Sequence, residues 1–164
     1  MPVMGRVKTE MALETFRLVM QLDTKPNEKT FSAILVACAD VFALEFDKQI
    51  HGYMLRNGFE DVVTRALLVE MYSKCNLIEY SVKVFEGDSS RDIVLWNSMI
   101  LGSAYNRRGE YGRKLFERMK EDGIQPDNIT FTGVLLSCIG EWYVNLGKSY
   151  FPSMVAVLYL ELSI

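Results

Sequence analysis

The sequence has little of what catalytic and metal centres are built from. It holds one histidine, His51, and three cysteines, Cys38, Cys75 and Cys138. The cysteines are odd in number, far apart and without a C-x-x-C pair. A disulfide framework and a zinc site are therefore not expected, and reducing surroundings fit best. His51 has no cysteine or carboxylate constellation near it in sequence, so a structural role is expected. There is no Gly-rich phosphate loop, no nucleophile–base pair and no H-x-E…C-x-x-C deaminase signature. No catalytic residue, metal or cofactor is expected. No run of about 18 apolar residues occurs, which argues against a transmembrane helix. The first ten residues lack the apolar stretch of a signal peptide and the Arg/Ser bias of a transit peptide. A net charge of −3 gives no general attraction to nucleic acid, although a basic stripe can sit on an acidic protein.

What is present is a repeated helical pattern. The stretch from Ile93 to Asp127 reads IVLWNSMILGSAYNRRGEYGRKLFERMKEDGIQPD. Trp96, Ile100 and Ala104, with Met99 beside them, form one apolar stripe at helical spacing. Asp92 stands at an N-cap position. The run Asn106 to Gly109 breaks the pattern. Tyr111, Leu115, Phe116 and Met119 form a second stripe. Gly123 sits at a C′ position, and Pro126 prevents the helix from resuming. This is a helical hairpin of 35 residues with an apolar face on each helix. One such hairpin cannot bury both faces alone and needs neighbours of its own kind.

Those neighbours appear when the chain is laid over itself. Pro26 to Ala39 lies over Pro126 to Ile139 at an offset of 100, with Pro26/Pro126, Thr30/Thr130, Phe31/Phe131, Leu35/Leu135 and Cys38/Cys138 identical. An offset of 65 lays Asn57-Gly58-Phe59 over Asp122-Gly123-Ile124. Both offsets fit one division: a partial unit 1–27 read as a second helix whose front is missing, then 28–61, 62–92 and 93–127, and a last unit 128–164 that diverges at its end. The three complete units have 34, 31 and 35 residues. Helical hairpins are expected near 29–57, 63–86 and 94–122, with no sheet. Cys38 and Cys138 fall on the apolar stripe and are expected in the core. Pro152 falls where the last unit's second helix belongs, at a cost of about 3 kcal/mol unless that helix starts after it. The tail beyond it is too short to span a membrane.

WNSMI before the turn, FERMKEDGIQPD after it, the openings TFSAILVACA and TFTGVLLSC, and EMYSKC together resemble a plant pentatricopeptide repeat protein, of the subclass that alternates standard, long and short repeats. The resemblance covers roughly residues 5–150. The W-x-x-L-G signature of tetratricopeptide repeats is absent. The resemblance implies an all-α fold, a right-handed α-solenoid of helical hairpin repeats. It implies that the chain binds single-stranded RNA at about one base per repeat, that it is not an enzyme, and that it binds no DNA and no membrane. It places the parent protein in a mitochondrion or chloroplast, with RNA editing or processing factors as further partners.

The resemblance also assigns residues. The base-reading positions are the fifth and last of a repeat: Asn97 with Asp127, and Ser32 with Asp61. Asn97 carries both a donor and an acceptor, suited to a base edge, and in this family Asn with Asp favours uridine. Thr132 opens the last unit without an assignable partner. In 62–92 the pair is Ala66 and Asp92, and Ala66 has no side-chain hydrogen bond to give. Val94 and Ile129, second in their units, would wedge between neighbouring bases, while Lys29 stands in that place in 28–61 and would meet a phosphate. Arg107 and Arg108 read as a solvated turn rather than a phosphate clamp. Two rival expectations remain: a protein–protein scaffold of the same solenoid type, and a truncated product without a function of its own.

Overall fold

A computed structural model describes residues 44–59, 61–87, 90–139 and 144–161, with 14, 16–18, 21, 27, 29–31, 34 and 35 before them. Among these the only regular secondary structure is α-helix. Seven helices follow in order: α1 Leu44–Asn57, α2 Val62–Lys74, α3 Ile78–Glu86, α4 Ile93–Tyr105, α5 Gly109–Glu121, α6 Asn128–Ile139 and α7 Val144–Glu161. Helices α2 and α3 pack as one antiparallel pair, and α4 and α5 as the next. The first helices also stack in a row, α2 on α4 and α4 on α6. This is an α-solenoid: each pair leaves an apolar face that its neighbour covers.

The starts and ends of the helices follow from particular residues. Asp61, Asp92 and Asp127 each accept a hydrogen bond from the backbone N–H three residues on, at 2.7, 2.9 and 2.8 Å. Asn27 does the same for Thr30 at 3.0 Å. Each satisfies a donor that the first helical turn leaves open. Helices α1 and α5 run into Gly58 (φ +72°) and Gly123 (φ +78°). At the second of these, Ile124 N–H reaches Met119 C=O and Gly123 N–H reaches Lys120 C=O, the paired closure that a left-handed C′ residue permits. The turns inside the pairs close likewise, but on Asn76 (φ 58°) and Arg107 (φ 56°).

The core is continuous along the row. Trp96, Met99 and Ile100 of α4 are fully buried, with Leu68 and Tyr72 of α2 and Phe131 and Val134 of α6. Phe85 meets Trp96 edge-on at 4.8 Å between ring centres, a favoured aromatic arrangement. Helices α2 and α4 approach so closely that a Cβ on Gly102 would lie 2.2 Å from Ser73 Oγ; on Gly133 it would lie 2.8 Å from Ile100 of α4. Cys138 is buried, and Cys38 lies outside the described residues. His51 Nδ1 lies 2.9 Å from the Tyr72 hydroxyl, joining α1 to α2. Helix α7 does not wait for Pro152: it begins at Val144 and runs through the proline, so the Lys148 carbonyl has no N–H at residue 152 to accept.

Candidate nucleic-acid interface

The caps fix a register across the row. Two residues after each cap stand Val63, Val94 and Ile129, which remain 59%, 51% and 48% exposed. Large aliphatic side chains left this open at one register of three stacked helices form a ladder, not scattered exceptions. Val94 and Ile129 are the two residues that the resemblance assigns as wedges. Val63, not singled out in the sequence, stands at the same register two residues after Asp61. Lys29 holds that place after Asn27 and is exposed.

Asn97 and Asp127, thirty residues apart, come together at the α4–α6 boundary. Asn97 Nδ2 donates to Asp127 Oδ1 at 3.0 Å and lies 3.1 Å from Oδ2. Asn97 is only 5% exposed, so its amide is part of the wall rather than a free arm. Its Oδ1 accepts from the Thr130 hydroxyl at 2.5 Å. A carboxylate can only accept, so the amide nitrogen must face Asp127.

The other assigned residues are less assembled. Asp61 caps α2, with Thr64 Oγ1 donating to it at 2.8 Å; Ser32 lies outside the described residues. Ala66 is buried. Thr132 is exposed, and its hydroxyl donates to the Asn128 carbonyl at 2.8 Å. Arg108 pairs with Glu79 at 2.8 Å. Arg107 and Arg108 follow the C-terminal end of α4, about 20 Å along the helix from Val94.

Toward the C-terminal ends of α2 and α4, away from the ladder, a groove of about 670 Å³ opens, lined by Glu70, Lys74, Leu101 and Tyr105 among others. Lys74 there pairs with Glu70 at 2.9 Å. On α3 and α5, Arg118 forks onto both Glu86 oxygens at 2.5 and 3.0 Å, and Arg91 reaches Glu86 at 2.9 Å. The hydrogen bond from Arg118 holds the Glu86 carboxyl below the usual range against a smaller opposing effect of burial. Burial pushes the Tyr111 phenol up. Among the described residues no group of three or more His, Cys, Asp or Glu side chains could hold a metal ion, and no helix is long and apolar enough to cross a membrane.

A model of the PPR repeat family matches residues 91–139, the stretch holding the Asp92 cap, the α4–α5 hairpin and the Asn97–Asp127–Thr130 contacts. The chain belongs to the pentatricopeptide repeat family. It is 42% identical over 148 residues to the pentatricopeptide repeat-containing protein At3g26540 of Arabidopsis thaliana, covering 90% of this chain and 21% of that protein. It is also 42% identical over 149 residues to the chloroplastic protein CRR2 of Arabidopsis thaliana, covering 87% and 22%. The repeats here thus span about a fifth of the length of these curated relatives. In fold they are similar to the crystal structure of the pentatricopeptide repeat protein PPR10 in complex with an 18-nt psaJ RNA element, with a TM-score of 0.71 and 19% identity over 86% of this chain and 22% of that one.

Proposed function

We propose that these repeats bind single-stranded RNA along the row of α2, α4 and α6, taking about one base per repeat between the exposed side chains of Val63, Val94 and Ile129. The observation that carries this reading is the ladder itself: equivalent aliphatic side chains at one register, with the Asn97–Asp127 pair beside two of them. An apolar contact suits any base, and a fixed amide adds a preference. Asn97 with Asp127 favours uridine, and Ser32 with Asp61, and Thr132, contribute at their own units, divided as 28–61, 62–92, 93–127 and 128–164. The protein acts in organellar RNA editing or processing as a non-enzymatic reader of the subclass with alternating repeat types. Its support is the similarity to relatives, among them proteins named chloroplastic and mitochondrial.

Magnitudes make the binding weak. Aliphatic wedges have no π-face, so packing on the three contributes at most the about 1–3 kcal/mol per base of aromatic stacking, about 9 kcal/mol in all. Association costs about 4–15 kcal/mol. A net charge of −3 adds nothing general. Fluorescence anisotropy at low salt is expected to show weak, salt-sensitive binding of oligo-U over oligo-A, reduced by Val94→Asp. Submicromolar binding at physiological salt would overturn the weak-binding estimate, and indifference to both sequence and Val94→Asp would overturn the RNA reading. A second reading, a peptide-binding scaffold, is favoured by the groove at Leu101 and Tyr105. Competition of RNA by an apolar peptide, with no effect of Val94→Asp, would support it instead.

A further inference from the structure

The side chain that reads a base must present one orientation of its amide. Uracil shows an acceptor at O4 beside a donor at N3, and cytosine shows a donor at N4 beside an acceptor at N3. Turning an Asn amide over exchanges which of the two it fits. What holds the amide of Asn97 therefore bears on what it selects. Two groups hold it. Asp127 takes the nitrogen, and Thr130 takes the oxygen.

We propose that Thr130 is a positioning residue for base selection: its hydroxyl, donated to Asn97 Oδ1, locks the amide in the orientation that favours uridine. The inference rests on the reading of Asn97 as a base reader. Thr130 is fully buried, and its hydroxyl has a single hydrogen to give. Two acceptors are in reach, Asn97 Oδ1 at 2.5 Å and Asp127 Oδ1 at 2.9 Å, and the nearer one belongs to Asn97. The lone pairs of Thr130 Oγ1 are also used, accepting from Asp127 N–H at 3.1 Å. Thr130 thus closes a ring linking α4, the Asp127 cap and α6.

Helix capping alone does not account for that contact. Thr64 makes the same reciprocal cap with Asp61, and among the described residues its further contact goes to the backbone carbonyl of Phe59 at 3.1 Å. The residues at these places are also matched in kind. Asn97 faces Thr130. In the preceding unit the fifth residue is Ala66, and the place of Thr130 is taken by Leu95; both are buried and apolar. A polar fifth residue goes with a hydroxyl at the third place of the next unit, and an apolar one with an apolar side chain. That is the pattern expected if the third place serves the fifth rather than the cap alone, since a buried Asn oxygen without a donor is costly.

The test uses the whole 164-residue chain and labelled oligo-U and oligo-C at low salt. Thr130→Val keeps the shape and removes the hydroxyl; Thr130→Ser restores it. Thr130→Val is expected to lower the U:C affinity ratio several-fold, up to about tenfold, the weight of one hydrogen bond, and Thr130→Ser to keep the ratio. The side-chain amide signals of Asn97 in a proton–nitrogen NMR spectrum, assigned by their loss in Asn97→Ala, should shift and broaden in Thr130→Val and not in Thr130→Ser. A parental preference for U that Thr130→Val leaves unchanged overturns this inference alone, as do Asn97 amide signals that do not respond. A parental chain with no preference for U overturns the reading of Asn97 and this inference with it. If Thr130→Val does not fold, a Thr130→Ser chain that folds and loses the preference overturns the inference.

Discussion

Placing a methyl group on Gly102 tests whether the close approach of α2 and α4 holds the row together. In Gly102→Ala the new Cβ would stand 2.2 Å from Ser73 Oγ and 2.8 Å from Ser73 Cβ. The second distance cannot be relieved by turning a flexible end, so either α4 moves or the Ser73 backbone does. Overpacking of this kind costs about 1–3 kcal/mol. Ser73 Oγ is also within hydrogen-bond distance of buried Ser81 Oγ at 3.0 Å, and displacing it forfeits about 1 kcal/mol more. Against this, alanine is the better helix former by about 1 kcal/mol. The net loss is about 1–3 kcal/mol, and at about 2–4 °C per kcal/mol for a chain of this size the melting temperature falls by about 2–12 °C. Urea unfolding followed by circular dichroism measures it, with an unchanged slope showing that the effect is on stability. Ser73→Gly removes both opposing atoms, so the double variant should be more stable than the sum of the singles predicts, by about 1 kcal/mol or more. A Gly102→Ala chain as stable as the parent, or more stable, would refute the reasoning, because helix propensity alone would then decide.

Three further outcomes are expected. Arg107→Gly should raise the urea midpoint, by about 1 kcal/mol of stability, because Arg107 holds a left-handed backbone (φ 56°) that costs a side-chain-bearing residue about that much; a lowered midpoint would count against it. Thiol labelling of the native chain should reach Cys75, which is partly exposed, well before buried Cys138, and equal rates would show that α6 does not seal its cysteine. Acid should weaken the chain through Glu86: its folded pKa lies below its unfolded one, so the stabilisation is complete above about pH 4.3, the ordinary glutamate value, and is lost as pH falls through the folded value. Glu86 is 39% exposed in its side chain, so the effect is no more than about 1 kcal/mol, and Glu86→Gln should flatten that part of an acid titration of stability.

Much of the fold is local, and so it was legible in the chain. Asp92 before an apolar stripe, Gly123 after another and Pro126 beyond it are signals that act within a turn or two, and a repeat multiplies them until two independent offsets agree. The apolar stripe at Trp96 and Ile100 is buried as its spacing implies, since a helix fixes which residues share a face. The register of Val94 and Ile129 was legible for the same reason, and Val63 followed the same rule without being recognised. Pro152 shows the limit: its local penalty suggested a break, yet α7 continues through it, because packing of the surrounding helix can outweigh one missing hydrogen bond.

What the sequence by itself determined is therefore the hairpin, its caps and turns, and the need for neighbours on either side. What only the tertiary structure decided is what crosses between units. Asn97 and Thr130 lie thirty-three residues apart, and nothing in their spacing says that a hydroxyl from one unit closes on an amide of another. The pairing of Arg118 with Glu86, thirty-two residues away, is of the same kind. So is the approach of Gly102 to Ser73, which depends on how closely two helix axes come. Such contacts are set by the angle and distance at which rigid helices stack, and a helix pattern carries no record of either.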